Sequence, residues 1–526
     1  MTAESPPSPV ASTQPPGLLS DAVQSWSCAG VARLPRRVGY ALTPTPVRAY
    51  FFNEHIPPRK LHSTSWMDGL RGLCAIIVFN SHFLFAFSRI VPLGYRTPQM
   101  FNESNHIAAL PPFCFLWSGL GAVDVFFAIA GYVCSLRALQ LMHLGSSAYD
   151  SVLIALSSSV FRRAFRLYLP VIVITLLTAF FTYAGGFGLT SYMCVKPARA
   201  KYLPGDISEV NPLQFETLPA QLHYWFNEMS ILMNVWAVGP VYTSLDPHLW
   251  TIAYEFRASL HLYIVLLGLS RCRPIIRYWG LCGFALLYAS WYRWEGPLFF
   301  LGAAAAQWDV ISAKQEDEKT PRLPTSHSGP ATSERSSAAE DNVSLKAFTR
   351  NPRSWLASHH RNVLWLIAIY FSGYPVKGYV NPAPGYTWIN AFIPAWYRKR
   401  EFRFARSIGT LTLLYLLRSS NSSGVGHQTR AHALLTSRVA QYLGQIMFAL
   451  YLVHGTVLHA LGYAITWWTW GWIGGNQGTL QWLIGILVGW SISLSVTIWI
   501  ADVFNREVES RCVSLTKWIE GKCMNS

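Results

Sequence analysis

Apolar residues in this chain recur in long blocks, and the blocks are separated by short polar turns. A membrane span needs about 20 mostly apolar residues. Ten stretches approach that length: 67–88, 114–136, 164–186, 249–270, 278–294, 296–312, 362–378, 404–418, 439–463 and 480–502. A further apolar run, 228–243, is too short to count and reads as an interfacial or re-entrant segment. The pattern predicts an all-α, multi-pass helix bundle of about ten transmembrane helices. Residues 1–62 are rich in Pro, Ser and Ala without apolar periodicity and predict a mostly disordered tail. A polar stretch at 314–345 predicts a long loop inside the membrane domain of 63–502, and 503–526 predicts a C-terminal tail.

Basic residues set the orientation of such a bundle. Arg33, Arg36, Arg37, Arg48, Arg59 and Lys60 place the N-terminal tail in the cytosol. Ten spans then put Arg137, Arg162, Arg163, Arg166, Arg271, Arg273 and Arg277 on the same side, with Arg506, Arg511 and Lys517 of the C-terminal tail. An eleventh span at 228–243 would turn the "RCRPIIR" cluster outward, which disfavours it. Asn102 of the sequon "NES" is expected outside, and the sequons at Asn342 and Asn421 inside. An endoplasmic reticulum or other endomembrane location is expected.

Composition agrees with a membrane protein and narrows the partners. Charged residues make up 13% of the 526-residue chain, about half the share of a soluble domain. The net charge of +16 is scattered between apolar runs, so no nucleic-acid partner is expected. The nine cysteines form no CxxC pair, which leaves no zinc or redox signature, and no metal is expected. The N-terminus lacks the basic and apolar regions of a signal peptide. The final "CMNS" is a poor prenylation box, because Asn525 falls where an aliphatic residue belongs.

Ionisable groups inside a bilayer are costly and face the bundle interior. In "DGLRGLCAIIVFNSHF", Arg71 and His82 lie 11 residues apart, about 20° from eclipsed on an α-helix. Asp68 falls about 40° to the other side, so all three share one stripe, with His82 about 16 Å further along than Arg71. A purely structural account makes Asp68 and Arg71 an end pair and His82 a satisfied core histidine. His248 and Glu255, seven apart, also share a helix face. Arg163 and Arg166 suit either membrane anchoring or an anion cradle for phosphates. Asp124 sits between Gly121 and Gly131 in the second stretch, where it would pair with Arg71 or cap a kink. His454 lies in the ninth. Arg257 and His261 point elsewhere and receive no role.

Five segments together resemble the acyltransferase-3 family of integral membrane acyltransferases. They are "DGLRG" with a histidine 11 residues past its arginine, "GAVDVFFAIAG", the Arg163–Arg166 pair, "LWTIAYEF" and "ALYLVH", in that order. The polar loop and the "RASL" after Glu255 look like fungal members. Asn80 and Ser81 replace the apolar pair usual before the histidine. The resemblance implies that His82 is catalytic, that Arg163 and Arg166 serve acyl-CoA, and that Arg71 is the arginine of the first motif. No esterase domain is expected after the last span, so the membrane domain must complete any transfer.

Those residue types suit the chemistry. Acyl transfer from a thioester to a hydroxyl needs a base for the acceptor proton and donors for the oxyanion. Neutral imidazole fits the base, and Glu255 or Asp124 is expected to fix the His82 tautomer. Acylation of the histidine itself is the other route. Asp68, His248 and His454 are candidates for substrate contact or a proton relay. The expected enzyme is thus an O-acyltransferase using acetyl-CoA on a small-molecule hydroxyl, a tailoring step in fungal secondary metabolism. A glycan or cell-wall O-acetyltransferase, a proton-coupled transporter and an inactive scaffold remain the competing readings. A transporter would favour inverted repeats and broken helices in matching halves, and neither is visible.

Overall fold

The computed structural model describes residues 39–54, 60–89, 91–97, 107–195, 198–205, 209, 211–236, 241–319, 352–376, 383–395, 397, 401–421 and 429–524. Among these every regular element is helical. The chain divides into two compact units, Met1–Pro57 and Pro58–Ser526. In the first, where the sequence predicts no regular structure, Thr45–Phe51 forms a short helix. Pro44 presets its entry, and Arg48 donates to the Thr43 carbonyl and lies 3.9 Å from the Tyr40 ring centre.

The second unit carries the helices that matter for function. They are α1 (Ser65–Phe87), α2 (Gly119–His143), α3 (Tyr149–Tyr183), α4 (Leu218–Met233), α5 (Trp250–Gly268) and α6 (Pro274–Ser290). Then follow α7 (Glu295–Lys319), α8 (Pro352–Ser372), α9 (Glu401–Asn421), α10 (Arg438–Val457), α11 (Tyr463–Trp472), α12 (Thr479–Phe504) and α13 (Ser510–Cys523). A helix runs through most of each of the ten predicted stretches, although the one in 362–378 ends at Ser372. Six helical segments are long and apolar enough to cross a membrane: Ser65–Phe87, Gly119–His143, Ser146–Tyr183, Pro247–Leu269, Arg438–Trp472 and Thr479–Cys523. Of the described residues in the extra run at 228–243, those up to Met233 are helical, as the end of α4.

Burial separates core helices from the rim. In the 18-residue apolar stretch of Arg438–Trp472 78% of the residues are buried, whereas in that of Thr479–Cys523 28% are. α12 turns Leu480, Leu483, Leu487, Ile492 and Trp499 outward. So apolar an exposed face suits lipid rather than water. α10 packs along α1, where buried Gln441 donates to the Ser65 and Leu435 carbonyls at 2.8 Å. The predicted C-terminal tail is largely α13. It packs on α3, with Glu520 receiving Ser158 and Arg162.

Three sequence features lie outside the described residues: most of the N-terminal tail, 1–38 and 55–59, most of the polar loop, 320–345, and the sequons at Asn102 and Asn342.

Candidate functional site

α1 carries a polar cluster toward each end. The cluster near its C-terminal end is built of histidines from three parts of the chain. Pro247 cannot continue a hydrogen-bonded helix backward, so a 3-10 turn, Pro247–Leu249, precedes α5. Asp246 caps that turn: its Oδ1 accepts the His248 backbone N–H at 2.9 Å and holds His248 Nδ1 at 2.6 Å. This aims His248 Nε2 at His82 Nδ1, 2.9 Å away, with the two rings perpendicular. His454, on α10, gives its Nδ1 proton to the Tyr451 carbonyl at 2.6 Å. Its ring lies 4.6 Å from that of His248 and 5.4 Å from that of His82. The remaining nitrogen, Nε2, is buried and has no hydrogen-bond partner among the described residues.

Two further residues complete the cluster. His459 lies on a π-turn, Leu458–Gly462, between α10 and α11, and its Nδ1 is 2.8 Å from Asn211 Oδ1. Glu209 stands between three imidazoles. Its Oε1 is 3.2 Å from His82 Nδ1, and its Oε2 is 3.2 Å from both His248 Nε2 and His459 Nε2. Burial alone would raise both carboxyls, but the facing imidazoles hold Glu209 well below the usual carboxylate range, and His248 holds Asp246 below it. The cluster therefore keeps two carboxylates ionised. The His82 side chain is 26% exposed against 2% for His248, so His82 is its open face.

The nitrogens of His82, His248 and His454 lie within 4.8 Å of one another, within reach of a shared divalent cation. Two imidazoles on a tetrahedral zinc keep their nitrogens about 3.3 Å apart. The 2.9 Å between His82 and His248 is instead the length of a hydrogen bond.

Gly455 lets these rings approach. A Cβ there would stand 2.4 Å from His248 Nδ1 and 2.9 Å from both Asp246 carboxylate oxygens. Gly455→Ala should push His248 off its carboxylate. The expected cost is about 1–3 kcal/mol of stability, with at least a tenfold loss of activity. Thermal melting in detergent and a turnover assay would check it.

The second cluster lies around Arg71 and collects the arginines. Arg163 Nη2 meets Glu255 Oε1 at 2.7 Å, and Arg163 Nε donates to Ser259 Oγ at 3.3 Å. The charges of Glu255, Asp68, Arg163 and Arg166 all act on half-buried Arg71, whose buried Nε has no hydrogen-bond partner among the described residues. Glu509 also acts on Arg71 and Arg166.

Three sequence expectations change here. Glu255 sits with Arg163 rather than with His82. His248 lies on the 3-10 turn before α5 and Glu255 within α5, so seven residues, about 10 Å of helix rise, place them in different clusters. Asp124 pairs with Arg403, Nη1 to Oδ1 at 2.5 Å, and not with Arg71. It is fully buried, and the Arg403 guanidinium stacks 3.8 Å from the Trp294 ring centre. The carboxylate beside His82 is Glu209.

Glu209, Asp246 and His459 were missed for identifiable reasons. Glu209 lies between α3 and α4, outside any periodic segment. Asp246 had a signal, because Asp-Pro-His is a cap with the histidine two residues on. His459 is five residues past His454, about 140° around a regular helix, and the wider π-turn reduces that offset.

The geometry can be set beside known proteins. The profile of Acyl_transf_3, described as an acyltransferase domain, matches residues 64–502. The chain is 27% identical to the O-acetyltransferase PaAT-1 of Phomopsis amygdali, over 89% of this chain and 86% of the relative. It is 26% identical to acyltransferase R4 of a Phoma species, over 87% and 96%. It is 25% identical to acyltransferase clz18 of Cochliobolus lunatus, again over 87% and 96%. No solved structure matches the chain.

Proposed function

The chain belongs to the Acyl_transf_3 family of acyltransferases, and on that premise we propose that it is a membrane O-acyltransferase moving an acetyl group from acetyl-CoA to a hydroxyl of a small molecule. The observation that carries this reading is the open His82 imidazole set beside a carboxylate, one α1 length away from an arginine cluster. Both contacts of His82 engage Nδ1, so Nε2 is the nitrogen for the acceptor proton. The freed oxygen attacks the thioester carbonyl, the C–S bond breaks, and the thiolate leaves with the proton held on His82. Arg71, Arg163 and Arg166 hold the donor's phosphates, because guanidinium forks suit them. The thioester arm then runs along α1 for about 16 Å to the histidines.

The acetyl preference follows the name of the Phomopsis relative, and fungal relatives favour a tailoring step in secondary metabolism. Ten spans with both termini cytosolic, in the endoplasmic reticulum, complete the proposal. They put Asn102 outside and the arginines at the cytosolic face, where CoA is made available.

Membranes carrying the protein, labelled acetyl-CoA and a panel of alcohols test the reading. Acceptor-dependent release of CoA, with a labelled ester formed, is the expected result. Hydrolysis without an ester, or no release at all, would sink it. Arg163→Ala should raise the KM for acetyl-CoA about ten- to a hundredfold, the range of a hydrogen bond to a charged group. Its kcat should change little, which a donor titration at saturating acceptor would read.

A further inference from the structure

We infer that Glu209 is the positioning residue of the transfer step, fixing the tautomer of His82 and balancing the imidazolium formed there. The inference rests on the acyl-transfer reading above. Glu209 is the carboxylate found within hydrogen-bond distance of His82 among the described residues. With Glu209 Oε2 taking the His248 Nε2 proton, 3.2 Å away, His82 Nδ1 is left to donate its own proton to Glu209 Oε1, and Nε2 remains a lone pair, the form a base requires. When Nε2 takes the acceptor proton, the imidazolium stands 3.2 Å from an ionised carboxylate. In so buried a place that attraction is strong.

The chain on either side of Glu209 is fastened. Gly205 N–H donates to the Ala86 carbonyl on α1 at 2.9 Å. The approach is close enough that a Cβ on Gly205 would lie 2.0 Å from the Phe85 carbonyl oxygen. On the other side, Asn211 holds His459 Nδ1 at 2.8 Å and donates to Thr190 Oγ1 at 3.2 Å. Thr190 in turn bonds the His459 carbonyl. Gly205 is thus tied to α1, four residues past His82, and Asn211 to the π-turn, one on each side of Glu209. Such attachment gives a loop residue the fixed position that a tautomer-setting carboxylate needs.

Charge balance agrees. The groups facing Glu209 are His82, His248 and His459, with Asp246, His454 and Tyr463 in the next layer. Two ionised carboxylates stand among four imidazoles, so protons entering the cluster settle on imidazoles that Glu209 bridges.

The test uses the full-length protein in membranes, with acetyl-CoA and an acceptor found in the assay above. Glu209→Gln keeps the shape and removes the charge. We expect kcat to fall about ten- to a hundredfold. The KM for acetyl-CoA should hold, because the arginine cluster is elsewhere. The acid limb of kcat/KM should move to lower pH, because an amide no longer favours protonated imidazole. Glu209→Asp retains the charge with a shorter reach, so kcat should fall while the acid limb stays at its wild-type pH. A lower melting temperature with an unmoved pH profile in Glu209→Gln would mean a merely structural role and overturn the inference. Wild-type kcat in either variant would overturn it as well. If Glu209→Gln does not accumulate, Glu209→Asp alone decides, through its kcat and acid limb. A wild-type protein with no transferase activity would instead defeat the parent reading, a result distinct from an active wild type with unaffected Glu209 variants.

Discussion

Replacing His82 with alanine is expected to lower kcat about a thousandfold while leaving the KM for acetyl-CoA within about threefold. General-base catalysis contributes about 10²–10⁴ in rate, and His82 is the base of the proposed transfer. Its neighbours differ in what they offer. His248 has both nitrogens engaged, Nδ1 by Asp246 and Nε2 by His82 and Glu209. His454 has an available Nε2 but is fully buried. His248→Ala and His454→Ala should therefore reduce kcat by less than His82→Ala does. The assay is release of free CoA at saturating donor, with the three variants compared at equal amounts of folded protein. Melting should be nearly unchanged for His82→Ala, because a partly exposed side chain leaves little cavity behind. Full activity in His82→Ala would remove the proton-transfer role and leave His454 as the next imidazole to examine.

The route from the chain to these clusters shows what sequence carries. The stripe of Asp68, Arg71 and His82 was legible because both ends lie on one regular helix, α1, where spacing converts directly to direction. The arginine pair at 163 and 166 was legible for the same reason on α3. Spacing could not say which helix faces which. That is why Glu255 was assigned to His82 when it meets Arg163, and Asp124 to Arg71 when it meets Arg403, 279 residues away. Nor could it reach Glu209, whose position depends on ties to α1 and to the π-turn rather than on any local period. The helical blocks themselves were legible throughout, since each apolar stretch must satisfy its own backbone as a helix. The C-terminal tail was misjudged because α13 is polar enough to look like a tail yet packs along α3.

Asp124 was a catalytic candidate, and its contacts make it a structural one. The side chain is completely buried on α2 and bonds Arg403 of α9. Arg403 lies against Trp294, and the charge of Arg406 also acts on Asp124. Removing one partner of a buried ion pair strands the other charge and costs about 3–5 kcal/mol. Arg403→Met should therefore destabilise the protein strongly and cut its yield in membranes. Replacing both partners removes the stranded carboxylate and leaves Arg406 on the Tyr374 carbonyl, and exchanges of a buried pair are often close to neutral. Asp124→Asn with Arg403→Met should recover much of the melting temperature lost in Arg403→Met alone. Because Asp124 and Arg403 meet on α2 and α9 and the His82 cluster is built from α1, the Asp246–His248 turn and α10, the double variant should also keep kcat within about fivefold of wild type per folded molecule. Thermal melting by fluorescence, read with the CoA-release assay, separates the two cases. Recovered stability with activity still absent would return Asp124 to the catalytic machinery, and would require α2 and α9 to form part of the acceptor's binding site.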